Sequence, residues 1–211
     1  MKSNFSIEKI GKYLREVSVV VIGVAITLSL SYWITNITEK KDVVLYLDAI
    51  KLEMEENIKL LDEEADDLEY WENYALYLRS QDKKSIPADS IRGYGVGLST
   101  TKQVNFQTSA FEMFKTSGAM RLIDDKEILQ SIWKAYLNIE EVRFDVNSYY
   151  ETKKEYLAKE VPLLLEGNPV SIPLYDFFVI FAKHGALEEC REMSGELKKT
   201  IVKLEKSKYI K

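Results

Sequence analysis

Hydrophobic positions along this chain follow two different rules. Residues 17 to 38, VSVVVIGVAITLSLSYWITNIT, run without one formal charge between Glu16 and Glu39. Beyond them, apolar residues recur at steps of three and four: Leu47, Ile50, Met54, Ile58, Leu61, Ala65, Leu68, Trp71, Ala75 and Leu78. The first segment matches the roughly 30 Å hydrocarbon core at about 1.5 Å per helical residue. The second is the buried stripe of an amphipathic helix. No glycine or proline separates the two, so one helix is predicted to leave the membrane and continue through residues 39–80 as a stalk. Tyr32 and Trp33 mark the headgroup boundary.

Pro87, Gly93, Gly95 and Gly97 break the pattern, and residues 81–105 read as a loop. Helical patterning resumes over Thr108–Lys115, which Ser117-Gly118 should close through a left-handed glycine. Asp124 followed by Glu127 resembles a capping arrangement for the next helix, with Leu129, Trp133, Tyr136, Val142, Val146 and Tyr149 as its apolar positions. That helix extends toward Leu165, and Pro162 is a candidate kink or stop. A short helix is predicted over Leu174–Lys183. The last helix carries the seam Leu187, Cys190, Ser194, Leu197, Ile201 and Leu204. With no sustained period-two alternation, the fold class is all-α: a flank (1–16), a transmembrane helix (17–38), the stalk, the loop and a helical bundle over 106–211.

The uncharged segment is too long for a secretory h-region, which argues for an uncleaved anchor. Residues 1–38 hold Lys2, Lys9, Lys12 and Arg15 against two Glu, leaving 25 basic and 32 acidic groups of the chain's 29 and 34. An acidic soluble part argues against a dominant nonspecific nucleic-acid surface. Four basic residues before the span, against Lys40 and Lys41 after it, favour a cytoplasmic N terminus in a bacterial inner membrane with an exported bundle, and leave a cytoplasmic bundle as the alternative. The single cysteine excludes an intrachain disulfide and leaves the redox compartment open.

The strings IGKYLREVSVVVIGVAITLSLSYWITNITEKK, LDAIKLEMEENIKLL and TSAFEMFKTSGAMRLIDDKEIL together resemble an uncharacterised family of small bacterial single-pass membrane proteins. The resemblance rests on Gly23, Trp33 and Asn36 in the span, on Glu55-Glu56-Asn57, and on Lys115-Thr116-Ser117-Gly118. It covers roughly residues 10 to 140 and implies membrane anchorage with a helical soluble domain. It carries no activity.

Within the span, Ser18, Ile22, Ala25, Ser29 and Asn36 share one side, while Gly23, Thr27 and Ser31 form a second small stripe roughly opposite. Small residues allow close helix approach in lipid, so both stripes are candidate oligomer-facing or pore-facing surfaces. No Asp, Glu, Lys or Arg lies inside the span, which speaks against a pump. Ten acidic residues between Glu53 and Glu72, against Lys59 alone, read as solvated outer faces that the Lys-rich tail 198–211 would neutralise. Their pairs among Glu53, Glu56, Glu63 and Asp67 lack a cation-loop motif. Arg92, Tyr94 and Lys102 in the glycine-containing segment are candidate ligand-loop residues for phosphate or a base.

Catalysis has little support. His184, before Gly185, suits a helix end better than a general base, and Cys190 on an apolar seam suits a buried thiol better than a nucleophile. No metal-binding His/Cys cluster or phosphate loop is present, so neither cofactor nor metal is expected. The leading expectation is a nonenzymatic protein whose partners are the lipid bilayer and further copies of itself. The alternative is an oligomeric pore-forming effector of bacterial antiviral defence, gated by a nucleotide or oligonucleotide on the soluble domain. A protein partner for the bundle is a further expectation.

Overall fold

The computed structural model describes residues 4–80, 101–165 and 185–210, all helical apart from short connections. Helix α1, Asn4–Ser80, is a single run of 77 residues, about 115 Å at 1.5 Å per residue. An extended segment, 101–108, leads into α2, Ser109–Ser117; a 3₁₀ turn, Ala119–Leu122, precedes α3, Lys126–Leu165; and α4 spans Leu187–Glu205. The all-α expectation holds, and α3 continues through Pro162 to Leu165. The helix expected over Leu174–Lys183 lies outside the described residues.

Polar pairs set the directions of the three long helices. Arg191, Lys198 and Glu205 of α4 meet Glu69, Asp62 and Lys51 of α1 in descending order, so α4 runs antiparallel to α1. Tyr136 and Tyr150 of α3 donate to Glu53 and Glu64, so α3 runs parallel to α1. Residues 43–72 are therefore a wall of the bundle rather than a free stalk beneath it. Leu47, Ile50, Met54 and Leu61 are fully buried there, and Ile132, Ile139 and Val146 of α3 are buried in the same core. All six seam residues of α4 are buried. Trp133 instead stands at the surface, while Ile128, Ile132 and Ala135 supply the buried face.

Gly118 closes α2 at φ 75°, the left-handed conformation that glycine adopts without a Cβ penalty. The cap of α3 is Asp125, not Asp124: its Oδ1 accepts from the N–H groups of Glu127 and Ile128. Asp124 is drawn away to Lys208 at 2.6 Å, and its own N–H donates to the Tyr209 hydroxyl. The tail after α4 is thereby tied to the turn before α3.

The expected solvated face over residues 53–72 also needs correction. Glu53, Glu64 and Glu72 are buried, because each turns toward the bundle rather than to water. Glu53 accepts from Ala110 N–H at 2.7 Å and Phe111 N–H at 3.3 Å, and so caps α2 from a different helix. Of the Lys-rich tail, Lys198 pairs with this acidic stretch, at Asp62.

Candidate functional site

The uncharged window of α1 is exposed along its whole length, with Val17, Val19, Leu28, Trp33 and Ile34 each at least half accessible. Nothing among the described residues covers it, and its length and composition suffice to cross a membrane. Several of its hydroxyls are satisfied internally: Ser18 donates to Leu14 O, Thr27 to Gly23 O and Ser29 to Ala25 O. Backbone bonding of this kind lets Ser and Thr enter lipid without a partner helix.

Because α1 is one continuous helix, the two small stripes can be referred to the bundle. At 100° per residue, Ser18, Ile22, Ala25, Ser29 and Asn36 fall on the side of Val43, Leu47, Ile50 and Met54, directly beneath the bundle. Gly23, Thr27 and Ser31 fall on the opposite side. That line continues through Ile34 and Thr38 to Leu45, Ala49 and Leu52 within about 40° on either hand. Leu45 is 67% exposed and Leu52 61%, although both belong to the soluble part. A Cβ added at Gly23 would meet nothing within 4 Å, so this face is open in the single chain.

Lys102, one of the three expected ligand-loop residues, is 36% exposed at its side chain and engaged by two carboxylates. Its ammonium bonds Glu64 at 2.8 Å and Asp67 at 2.6 Å. Burial works against that charge, but the two carboxylates outweigh it and hold its pKa above the usual lysine value. Arg92 and Tyr94, the other two residues of that expectation, lie outside the described residues, as does His184.

Around Glu64 the interior is polar and dense. Tyr150 donates to it at 2.6 Å, and Lys153, 3% exposed, lies over the Tyr150 ring at 5.6 Å. Burial lowers the Lys153 pKa to about 8, with Glu64 opposing and Lys102 reinforcing the shift. Burial likewise raises the Tyr149 and Tyr150 hydroxyls well above the ordinary tyrosine range. It pushes the Cys190 thiol up to about 12, that of a protonated core residue.

A groove of about 200 Å³ between α3 and α4 is acidic, lined by Glu141, Asp145, Glu189, Glu192 and Glu196. The Glu189 carboxyl is held above its usual value by burial, then by the facing Asp145. Among the described residues, no three His, Cys, Asp or Glu side chains converge as metal ligands.

The polar residues that organise the bundle leave little trace in the hydrophobic pattern. Asn57, fully buried, and Asn147, half-buried, grip the extended segment at Gln107 and Val104. No hydrophobic period marks them; the one available signal is that Glu53, Asn57 and Glu64 fall together on one flank of the stripe, about 60 to 100° from its centre. No family model, curated protein or solved structure matches the chain. The resemblance to a small membrane-protein family therefore rests on the residues quoted for it.

Proposed function

We propose that this is a nonenzymatic single-pass membrane protein whose copies associate in parallel through the outward face of α1, presenting their helical bundles side by side as binding modules. The observation that carries this reading is the line from Gly23 through Thr27 and Ser31 to exposed Leu45 and Leu52, opposite the bundle on one helix. Two chains joined along it keep their bundles apart, whereas contact through Ser18, Ser29 and Asn36 would press bundle against bundle. Burying Leu45 and Leu52 is worth about 2 kcal/mol for each side chain. The small residues below add close packing within lipid.

The basic residues before the span support an exported bundle in a bacterial inner membrane. The pore-forming alternative has to turn Ser18, Ser29 and Asn36 to a shared axis beneath the bundles, and the internally bonded hydroxyls of Ser18 and Ser29 give it little help. Oxidative cross-linking in native membranes tests the choice of face, with Cys190 inert because it is buried. Leu45→Cys and Leu52→Cys should form dimers, and Ser29→Cys should not. Efficient cross-linking at Ser29 with none at Leu45 or Leu52 would overturn the arrangement.

A further inference from the structure

Where α2 meets the first half of α3, the aromatic side chains of Phe111, Trp133 and Tyr136 and the carboxylates of Glu112 and Glu140 surround a recess of about 200 Å³, which Lys115 also lines. Glu53 of α1 fixes two of the rings from behind. Its carboxylate accepts from the Phe111 N–H at 3.3 Å and from the Tyr136 hydroxyl at 2.6 Å. The Phe111 and Tyr136 rings stack at 4.2 Å with their planes 3° apart, and Trp133 meets Phe111 edge-on at 5.7 Å. Phe111 and Tyr136 are buried, whereas Trp133 is 43% exposed and leaves one wall accessible from water.

This recess already holds a cation. Lys115 Nζ lies 5.2 Å from the Phe111 centroid and 5.7 Å from that of Trp133, both inside the roughly 6 Å reach of a cation–π contact. It also bonds Glu112 Oε1 at 2.8 Å. Two ring faces and one carboxylate thus converge on a single point of positive charge. The lysine holds that point weakly, because its partner is an exposed acid one helical turn away. A primary ammonium is compact and strongly hydrated, so water competes for it. A quaternary ammonium has no N–H to solvate; its methyl groups bury apolar area on the same rings, and its charge keeps their attraction. Size agrees, since a cavity of about 150 Å³ takes a benzene-sized guest. Arg143 bonds Glu140, so Glu112 is the carboxylate that an entering cation takes over from Lys115.

We propose that this recess binds a small quaternary ammonium ion of the choline type, caged by Phe111, Trp133 and Tyr136 and displacing Lys115 into solvent. Tyr136 is tied to Glu53, about 22 Å along α1 beyond Thr38; with residues 17–38 in a bilayer, the recess stands clear of a headgroup layer of roughly 5 to 7 Å, and its ligand is a free solute. The site lies within one bundle and does not depend on the pairing of chains.

The test uses the full chain in a maltoside detergent. Choline, tetramethylammonium and the uncharged choline isostere 3,3-dimethylbutan-1-ol are the probes, and saturation-transfer NMR of their methyl protons gives the affinities. Choline should bind about tenfold more tightly than the isostere, the scale of a desolvated cation–π contact. Lys115→Ala removes the internal competitor and should tighten choline binding severalfold. Trp133→Leu, a change at an accessible position, should abolish it. A trimethyl-lysine peptide should bind no more tightly than choline. No binding of either cation, equal binding of the isostere, weaker binding in Lys115→Ala or unchanged binding in Trp133→Leu would each overturn the site. A trimethyl-lysine peptide held much more tightly than choline would overturn the free solute as its occupant.

Discussion

Asn57 and Gln107, fifty residues apart, are joined by a two-way amide bridge: Asn57 Nδ2 donates to Gln107 O, and Gln107 N–H donates to Asn57 Oδ1, both at 2.7 Å. Asn147 does the same for Val104, at 3.0 and 2.9 Å. The segment 101–108 is thus held as a strand would be, but by side chains from two helices. Asn57→Ala leaves two backbone groups without partners, and a loss of about 2 to 4 kcal/mol is expected. Denaturant titration of the full chain in detergent measures it; a loss below about 0.5 kcal/mol would show that the bridge is incidental.

Glu53 ties three elements together, accepting from two N–H groups of α2 and from the Tyr136 hydroxyl at 2.6 Å. Glu53→Ala should cost about 3 kcal/mol, because it strips the cap and leaves a buried hydroxyl unpaired. Tyr136→Phe should cost about 1 kcal/mol, because the carboxylate keeps its backbone donors. The reverse order in thermal melts would contradict this account of the site.

The interior around Glu64 sets the alkaline limb of stability. Lys153 has a folded pKa near 8, below its unfolded value of 10.5, so the unfolded chain binds more protons between those limits and stability should rise with pH there. Tyr136, Tyr149 and Tyr150 have raised folded values, so the stability they contribute is complete below pH 10 and is lost above it. A maximum between about pH 9 and 10 is expected, and Lys153→Met should flatten its rising side. Urea midpoints from pH 7 to 11 check both limbs.

Cys190 is fully buried, with a thiol near 12. A disulfide reagent at pH 8 should label it only as the chain unfolds, so the labelling curve should coincide with the denaturation curve. Rapid stoichiometric labelling without denaturant would mean that the α4 seam opens in the native state.

The parts legible from sequence share a physical property: their burial is apolar and periodic along the chain. The stripe from Leu47 to Leu68, the α4 seam from Leu187 to Leu204 and the Gly118 terminus are local patterns that survive tertiary packing. Glu53, Glu64 and Asn147 are hidden because their partners lie 43 to 86 residues away, and a charged residue reads as solvated until such a partner is known. Asp125 displaces Asp124 as the α3 cap for the same reason, since Lys208 and Tyr209 claim Asp124 from the far end of the chain. Segment 101–108 alternates exposed and buried residues around Val104 and Phe106, but it is too short to announce itself and has no strand beside it among the described residues. In the span, both small stripes are visible from the residues alone; their different relation to the bundle follows only from the continuity of α1.

The most direct measurement is alkaline carbonate extraction of membranes from cells making the full chain, followed by detergent release. If α1 crosses the bilayer at residues 17–38, the protein stays in the pellet at high pH and enters the supernatant only with detergent. Release by carbonate alone, without detergent, would contradict the account at its base.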